Sequence, residues 1–234
     1  MDPNAIAEIL KGVSTATVTT LLLKKGLRNV WIRGPRPQRE GQARVVGPAF
    51  TLRFIPARED LATPDAWSSP RSTRAAIEEM PPGCVVVASA LGVTDAGIFG
   101  DILCARMVKR GVAGLVTDGV MRDIVGVRAT GLPVWSQGTA APSSASGLIF
   151  EGWQAPVGCG GVAIYPGETI VADCDGAVVI PGALLEYVAT AGPEQERLEE
   201  WIMGEVEKGL PLPGLYPANA ETRARYEAER AGTK

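Results

Sequence analysis

Between residues 84 and 135 the chain alternates short, wholly apolar runs with amphipathic stretches that end on glycine. Residues 84–88, 112–117 and 132–135 are rich in β-branched side chains and too short for helices, so they read as strands buried on both faces. Residues 101–110 and 123–130 read as helices, stopped at Gly111 and Gly131. Strand–helix–strand–helix–strand at this spacing predicts right-handed crossovers and a parallel segment of sheet. Upstream, a helix is expected over 3–10, and a second begins at a Ser14 cap and closes on Lys24-Lys25-Gly26. Residues 27–44 are polar and rich in Gly, Pro and Arg, which reads as a long loop. Residues 45–55 read as a strand broken near Gly47-Pro48. The stretch 56–82 is rich in Pro, Ser, Asp and Arg, with one short helix over 72–80.

Downstream, 137–161 is a Gly/Ser/Pro-rich loop with room for one short strand. Runs at 162–165, 169–172 and 177–180 are joined by Pro166-Gly167 and Asp175-Gly176, which predicts antiparallel strands. A charged helix follows over 182–208. The expected organisation is a single α/β domain, 1–208, with a C-terminal arm, 209–234. The arm carries Tyr216 and Tyr226 but is too polar to bury itself, so it is expected to lie on a neighbouring subunit.

Composition narrows the chemistry. The chain has 234 residues, 46% hydrophobic and 21% charged, with a net charge of -3. That balance offers no basic surface for nucleic acid. No apolar run is long enough for a membrane span. Met1-Asp2-Pro3-Asn4 lacks a charged-then-apolar leader, and the expectation is a cytoplasmic protein. Cys84, Cys104, Cys159 and Cys174 lie far apart, so buried free thiols are expected rather than a zinc site. There is no histidine, so acid–base work falls to carboxylates, lysine, tyrosine or water. Any metal would be a hard cation held by oxygen, such as Mg²⁺ or Mn²⁺.

Two segments carry candidate chemistry. In Gly97-Ile98-Phe99-Gly100-Asp101 the glycines allow a tight turn and close approach of a ligand, and Asp101 is expected at the N-cap of the helix that follows. In Asp118-Gly119-Val120-Met121-Arg122-Asp123 the acidic and basic residues follow a buried strand, at the sheet edge where α/β folds bind ligands. Asp is an ordinary helix cap, and each carboxylate taken alone needs no other purpose. Two helix ends meeting in space would instead join two carboxylates, one guanidinium and the free amides of Ile102 and Leu103. The lysines sit at polar helix ends, unsuited to Schiff-base chemistry. Ser143, Ser144 and Ser146 have no histidine partner. Asp173 and Asp175 read as turn residues. No Gly-x-Gly nucleotide loop supports a methyltransferase or an NAD enzyme.

The Gly97–Asp101 segment, the twenty-residue gap, Thr117-Asp118-Gly119 and Arg122-Asp123 are together similar to the signature of the regulator of ribonuclease activity A family, which includes 4-hydroxy-4-methyl-2-oxoglutarate aldolases. Tyr165-Pro166-Gly167-Glu168 and residues 172–181 share the likeness, which runs from about residue 15 to 200. The resemblance implies an α/β/β/α sandwich of the swivelling-domain type with a mixed central sheet, assembled as trimers or hexamers. It implies a divalent-metal aldolase that cleaves 4-hydroxy-2-oxo acids to pyruvate and decarboxylates oxaloacetate as a side activity. By match, Asp123 would bind Mg²⁺ or Mn²⁺, Arg122 the oxygen of the 2-oxo acid, and Asp101 a metal-bound water. Gly100 and the amides of Ile102 and Leu103 would receive the carboxylate. Glu196, Glu199 and Glu200 are candidates for an assisting glutamate from a neighbouring subunit. The alternatives are a non-catalytic protein that binds an RNA-degrading endonuclease, and an aldolase or dehydratase of sugar-derived 2-oxo acids. The segment 56–82 and the tail depart from the family pattern and are expected near the distal end of the substrate.

Overall fold

The computed structural model describes residues 3–63, 65 and 68–232. The parts of the expectations that fall on residues 1, 2, 64, 66, 67, 233 and 234 lie outside the described residues.

Helices α1 (Pro3–Leu10) and α2 (Thr15–Lys24) open the chain. Ser14 caps α2, its Oγ accepting from the Thr17 amide at 3.1 Å. Two short strands, β1 (Trp31–Ile32) and β2 (Arg36–Pro37), precede the long β3 (Val45–Pro56). Then follow α3 (Thr73–Glu79), β4 (Val85–Ser89), α4 (Asp101–Lys109), β5 (Gly114–Thr117), α5 (Ile124–Ala129) and β6 (Val134–Ser136). β7 (Leu148–Trp153), β8 (Val157–Cys159), β9 (Val162–Ile164), β10 (Thr169–Asp173) and β11 (Gly176–Ile180) complete the strands. α6 (Leu185–Glu207) and α7 (Ala220–Gly232) close the chain.

The sheet runs β1-β11-β10-β3-β4-β5-β6-β2, with β7 also on β3. β3 through β6 are parallel. β10, β11 and β1 are antiparallel. This mixed sheet, with β8–β9 as a separate hairpin, gives the expected α/β/β/α arrangement. The expectation of a break in the third strand is corrected. β3 is continuous, and the Gly47-Pro48 step is where it changes partner, from β10 at 45–48 to β4 at 49–53. Pro48 has no amide to donate, which suits a residue at that exchange.

The 27–44 segment is not all loop. β1 and β2 sit at the two ends of the sheet and cover edges that would otherwise be open. The 137–161 segment holds two strands, β7 and β8, rather than one.

Alternation along β4 fills both cores. Val85 and Val87 join the cluster with α1, α2, β10 and β11. Val86 and Ala88 join the cluster with α3, α4 and α5. Each fully buried valine contributes roughly 1.5–3 kcal/mol of transfer free energy. The tail folds back on its own chain: Leu215 and Tyr226 pack on Leu198 and Ile202 of α6, and the Tyr226 hydroxyl and Arg230 both donate to Glu194. The arm thus has α6 of its own chain as a packing surface. Among the described residues no helix is long and apolar enough to cross a membrane.

Candidate active site

The loops that follow β4, β5 and β6 lie side by side at the carboxyl edge of the parallel strands, tied by their backbones. Ile98 N–H donates to the Val120 carbonyl at 3.0 Å, Arg122 N–H to Phe99 at 2.9 Å, and Met121 N–H to Gly138 at 3.0 Å. This lattice brings the N-termini of α4 and α5 together around a cleft of about 310 Å³. Gly100, Asp101, Ile102, Leu103, Arg122 and Asp123 all line it. The six residues singled out in the sequence thus meet in one place.

The detail differs from expectation in two respects. Gly100, not Asp101, is the cap residue of α4, and Asp101 is its first helical residue. Asp101 Oδ1 accepts from the Ile102 amide at 2.7 Å, so that amide already has an acceptor. Asp123 is the cap of α5, but its side chain makes no capping bond, and its backbone is left-handed at φ 51°, ψ 41°. A non-glycine residue held there stores conformational strain, a feature that clusters at ligand sites. The strain turns the Asp123 carboxylate away from its own helix and over the neighbouring one. A methyl group added at Gly100 would stand 2.7 Å from Asp123 Oδ2. Reciprocally, one added at Gly126 would stand 2.5 Å from Asp101 Oδ2. Each carboxylate rests on the other helix's glycine, and neither glycine can gain a side chain without displacing it. Gly126 was not singled out in the sequence; a glycine inside a short helix was the available signal.

Arg122 Nε donates to Asp123 Oδ2 at 3.0 Å, and the two side chains are 37% and 48% exposed. A part-exposed pair of this kind is worth about 0–1 kcal/mol and yields readily to a ligand. The oxygen donors are two carboxylates, with a guanidinium beside them for an anionic ligand and no thiol or imidazole in the lining, which fits a hard divalent cation completed by water and substrate oxygens.

The other acidic residues belong to the fold. Asp118 is buried and does not line the cleft; it accepts from the Ala90 amide at 2.7 Å and the Gly160 amide at 3.1 Å. It ties the loop after β4 to the β8–β9 turn. Asp173, Cys174 and Asp175 place one possible ligand atom each within 4.8 Å. Asp173, however, is committed to the Thr15 amide at 2.9 Å, the Thr15 hydroxyl at 2.7 Å and the Asp175 amide at 3.0 Å.

Burial pushes the Cys104 thiol up to about 12, with the Asp101 charge adding to it. Burial likewise raises Cys84 to about 11. Both stay protonated and unreactive near neutral pH. Cys174 is exposed, against the expectation of four buried thiols. Glu196 accepts from the Ser14 amide at 2.7 Å. Its burial opposes ionisation, but the hydrogen bonds from Ser14 and Thr17 outweigh it and hold the carboxyl below its usual range. Glu196 is therefore anchored to its own α2. Glu199 accepts from Gln195 at 2.7 Å.

Comparison with known proteins agrees with this architecture. The family profile RraA-like, described as Aldolase/RraA, matches residues 15–179. The chain belongs to the RraA-like family. It is 34% identical over 156 residues to a protein of Halalkalibacterium halodurans provisionally named a 4-hydroxy-4-methyl-2-oxoglutarate aldolase, covering 67% of this chain and 69% of that one. It is 29% identical over 177 residues to protein DlpA of Legionella pneumophila, covering 76% of this chain but only 28% of that protein's length. Among solved structures, Streptomyces coelicolor RraAS2, described as an unusual member of the RNase ES inhibitor RraA protein family, superposes with a TM-score of 0.76 at 37% identity. That match covers 84% of this chain and 94% of RraAS2.

Proposed function

We propose that the chain is a divalent-metal-dependent aldolase that cleaves 4-hydroxy-2-oxo acids to pyruvate and also decarboxylates oxaloacetate. The observation that carries this reading is the strained Asp123, whose carboxylate is spared from capping and set beside Arg122 and Asp101. Asp123 would hold Mg²⁺ or Mn²⁺, with Asp101 oriented toward a bound water. When bound, such a cation supplies Lewis-acid stabilisation of the negative charge that develops on the 2-oxo group.

The chain's own residues do the rest. Arg122, released from its weak pair with Asp123, donates to the oxygen on which charge accumulates. A donor of this type contributes about 3–4 kcal/mol to the transition state. The Leu103 amide, and the Ile102 amide once Asp101 turns away, receive the substrate carboxylate at the start of α4, a nine-residue helix. Asp101 takes or returns a proton through water, which suits a chain without histidine. Oxaloacetate loses CO₂ to leave the same three-carbon enolate, so one cleft serves both substrates.

Assembly as a homotrimer or hexamer belongs to this proposal. It is supported by Ile102 and Val125, apolar residues 80% and 81% exposed on the two helices that bound the cleft. The similarity to RraAS2 favours a second reading, a non-catalytic partner of an RNA-degrading endonuclease.

The deciding experiment is a coupled pyruvate assay with oxaloacetate and a 4-hydroxy-2-oxo acid. Pyruvate release that stops with EDTA and returns with Mg²⁺ supports the aldolase. No release, together with a stoichiometric endonuclease complex, supports the regulator.

A further inference from the structure

The cleft continues beyond the helix ends. Thr73 and Ser144 line it and also line a second cavity of about 230 Å³. The two spaces are therefore neighbouring lobes that share a wall. We propose that the second lobe is the subsite for the far end of an elongated 2-oxo acid, and that Arg71 there reads an anionic group, a second carboxylate several atoms from the reacting carbon. The assignment rests on the aldolase reading and adds to it the substrate's distal half.

Three features of the lobe point to that ligand. Arg71 lines it, and no carboxylate does among the described residues. Arg71 is in no ion pair among those residues, unlike Arg58, Arg106 or Arg225. A guanidinium on a cavity wall without an acidic partner suits the planar fork of a ligand carboxylate.

The hydroxyls of Ser69, Thr73 and Ser144 add neutral donors on the same walls. The Arg71 amide donates to Ser69 Oγ at 3.0 Å, and Ser72 Oγ accepts from the Ala75 amide at 3.3 Å. These bonds fix the turn that presents Arg71.

Leu148 and Phe150 add apolar lining to the same lobe. Phe150 is held by an edge contact with Phe54 at 5.3 Å and by stacking with Trp153 at 6.1 Å between ring centroids. Apolar lining and a guanidinium in one lobe fit a chain of carbons that ends in a charge.

The test compares substrates that do and do not reach the lobe. Oxaloacetate needs only the first cleft. Two 4-hydroxy-2-oxo acids are made with matched side chains, one ending in a carboxylate and one in a hydroxymethyl group. Pyruvate release is measured with Mg²⁺ for the wild type, Arg71→Ala and Arg71→Lys. The expected result is that Arg71→Ala raises KM for the carboxylate-ended substrate at least tenfold, with kcat little changed. Turnover of oxaloacetate and of the hydroxymethyl substrate stays within about twofold of wild type, and Arg71→Lys recovers part of the loss. Oxaloacetate turnover that persists while the carboxylate-ended substrate is indifferent to Arg71 overturns the subsite and leaves the aldolase standing. An equal loss on all three substrates also overturns it. Absence of turnover of every substrate by the wild type removes the reaction and the subsite together.

Discussion

Asp118 and Asp173 are buried carboxylates whose oxygens are taken up by backbone amides and a hydroxyl. Asp101 and Asp123 lie on the wall of an open cleft, and the one full cap position among them, Asp123, makes no capping bond. The same side chain serves two ends. Saturated by the protein, it fixes loops to one another; left with open valences, it has capacity for an external cation or water. Residue type did not separate these roles, whereas hydrogen-bond saturation does.

The largest effect that sharpens the contrast is expected at the open pair. Asp123→Ala or Arg122→Ala should lower kcat/KM for oxaloacetate by about 10²–10³-fold with the melting temperature nearly unchanged. A steep loss of stability instead would move these residues into the saturated class. At the saturated sites the balance reverses. Asp118→Ala leaves the buried Ala90 amide and the part-buried Gly160 amide without this acceptor, at about 1–3 kcal/mol for a buried group. Urea unfolding should show a loss of roughly 3 kcal/mol, while activity per folded molecule is retained.

Gly126→Ala sits between the two. Alanine favours a helix by up to about 1 kcal/mol over glycine, yet its methyl would press on Asp101. The methyl would also stand 2.7 Å from Asp101 Cβ, which rotation of the side chain does not clear, so α4 and α5 must shift apart. An approximately tenfold fall in kcat with a lowered melting temperature is expected, and unaltered kcat in the folded variant would remove Asp101 from the account.

The smallest effect concerns the arm. Hydrogen bonding to Arg197, opposed by slight burial and aided by Tyr226 and Arg230, holds the Glu194 carboxyl below its ordinary range. Lys208 and Arg225 do the same for Glu205. Groups with lowered folded-state values stabilise at neutral pH and lose that contribution as pH falls through those values. Hydrogen exchange in α7 should therefore quicken on acidification below the ordinary carboxylate range before β4 and β5 respond.

The parallel strands and their helices were legible because residues 84–135 repeat buried β-branched runs with glycine stops. The convergence of Asp101 with Arg122 and Asp123 followed from that pattern, since consecutive parallel strands end at one edge. The two-residue β1 and β2 were not legible, because two residues have no periodicity to read. β7 was hidden by Gly152 and by a register shift opposite Arg53 and Phe54. The fold-back of α7 was hidden as well. It buries only Thr222 and Tyr226, and charged pairs with α6 orient it, a contact that depends on a partner distant in sequence. The left-handed backbone of Asp123 has no signature in a lone aspartate, although it decides where the carboxylate points.

The central claim is that the Asp123 carboxylate holds a hard cation, and Mn²⁺ binding followed by electron paramagnetic resonance tests it most directly. Wild-type protein should bind one Mn²⁺ per chain, competed by Mg²⁺, and Asp123→Asn should leave the Mn²⁺ signal that of the free ion. Equal binding by the folded Asp123→Asn protein would contradict the account.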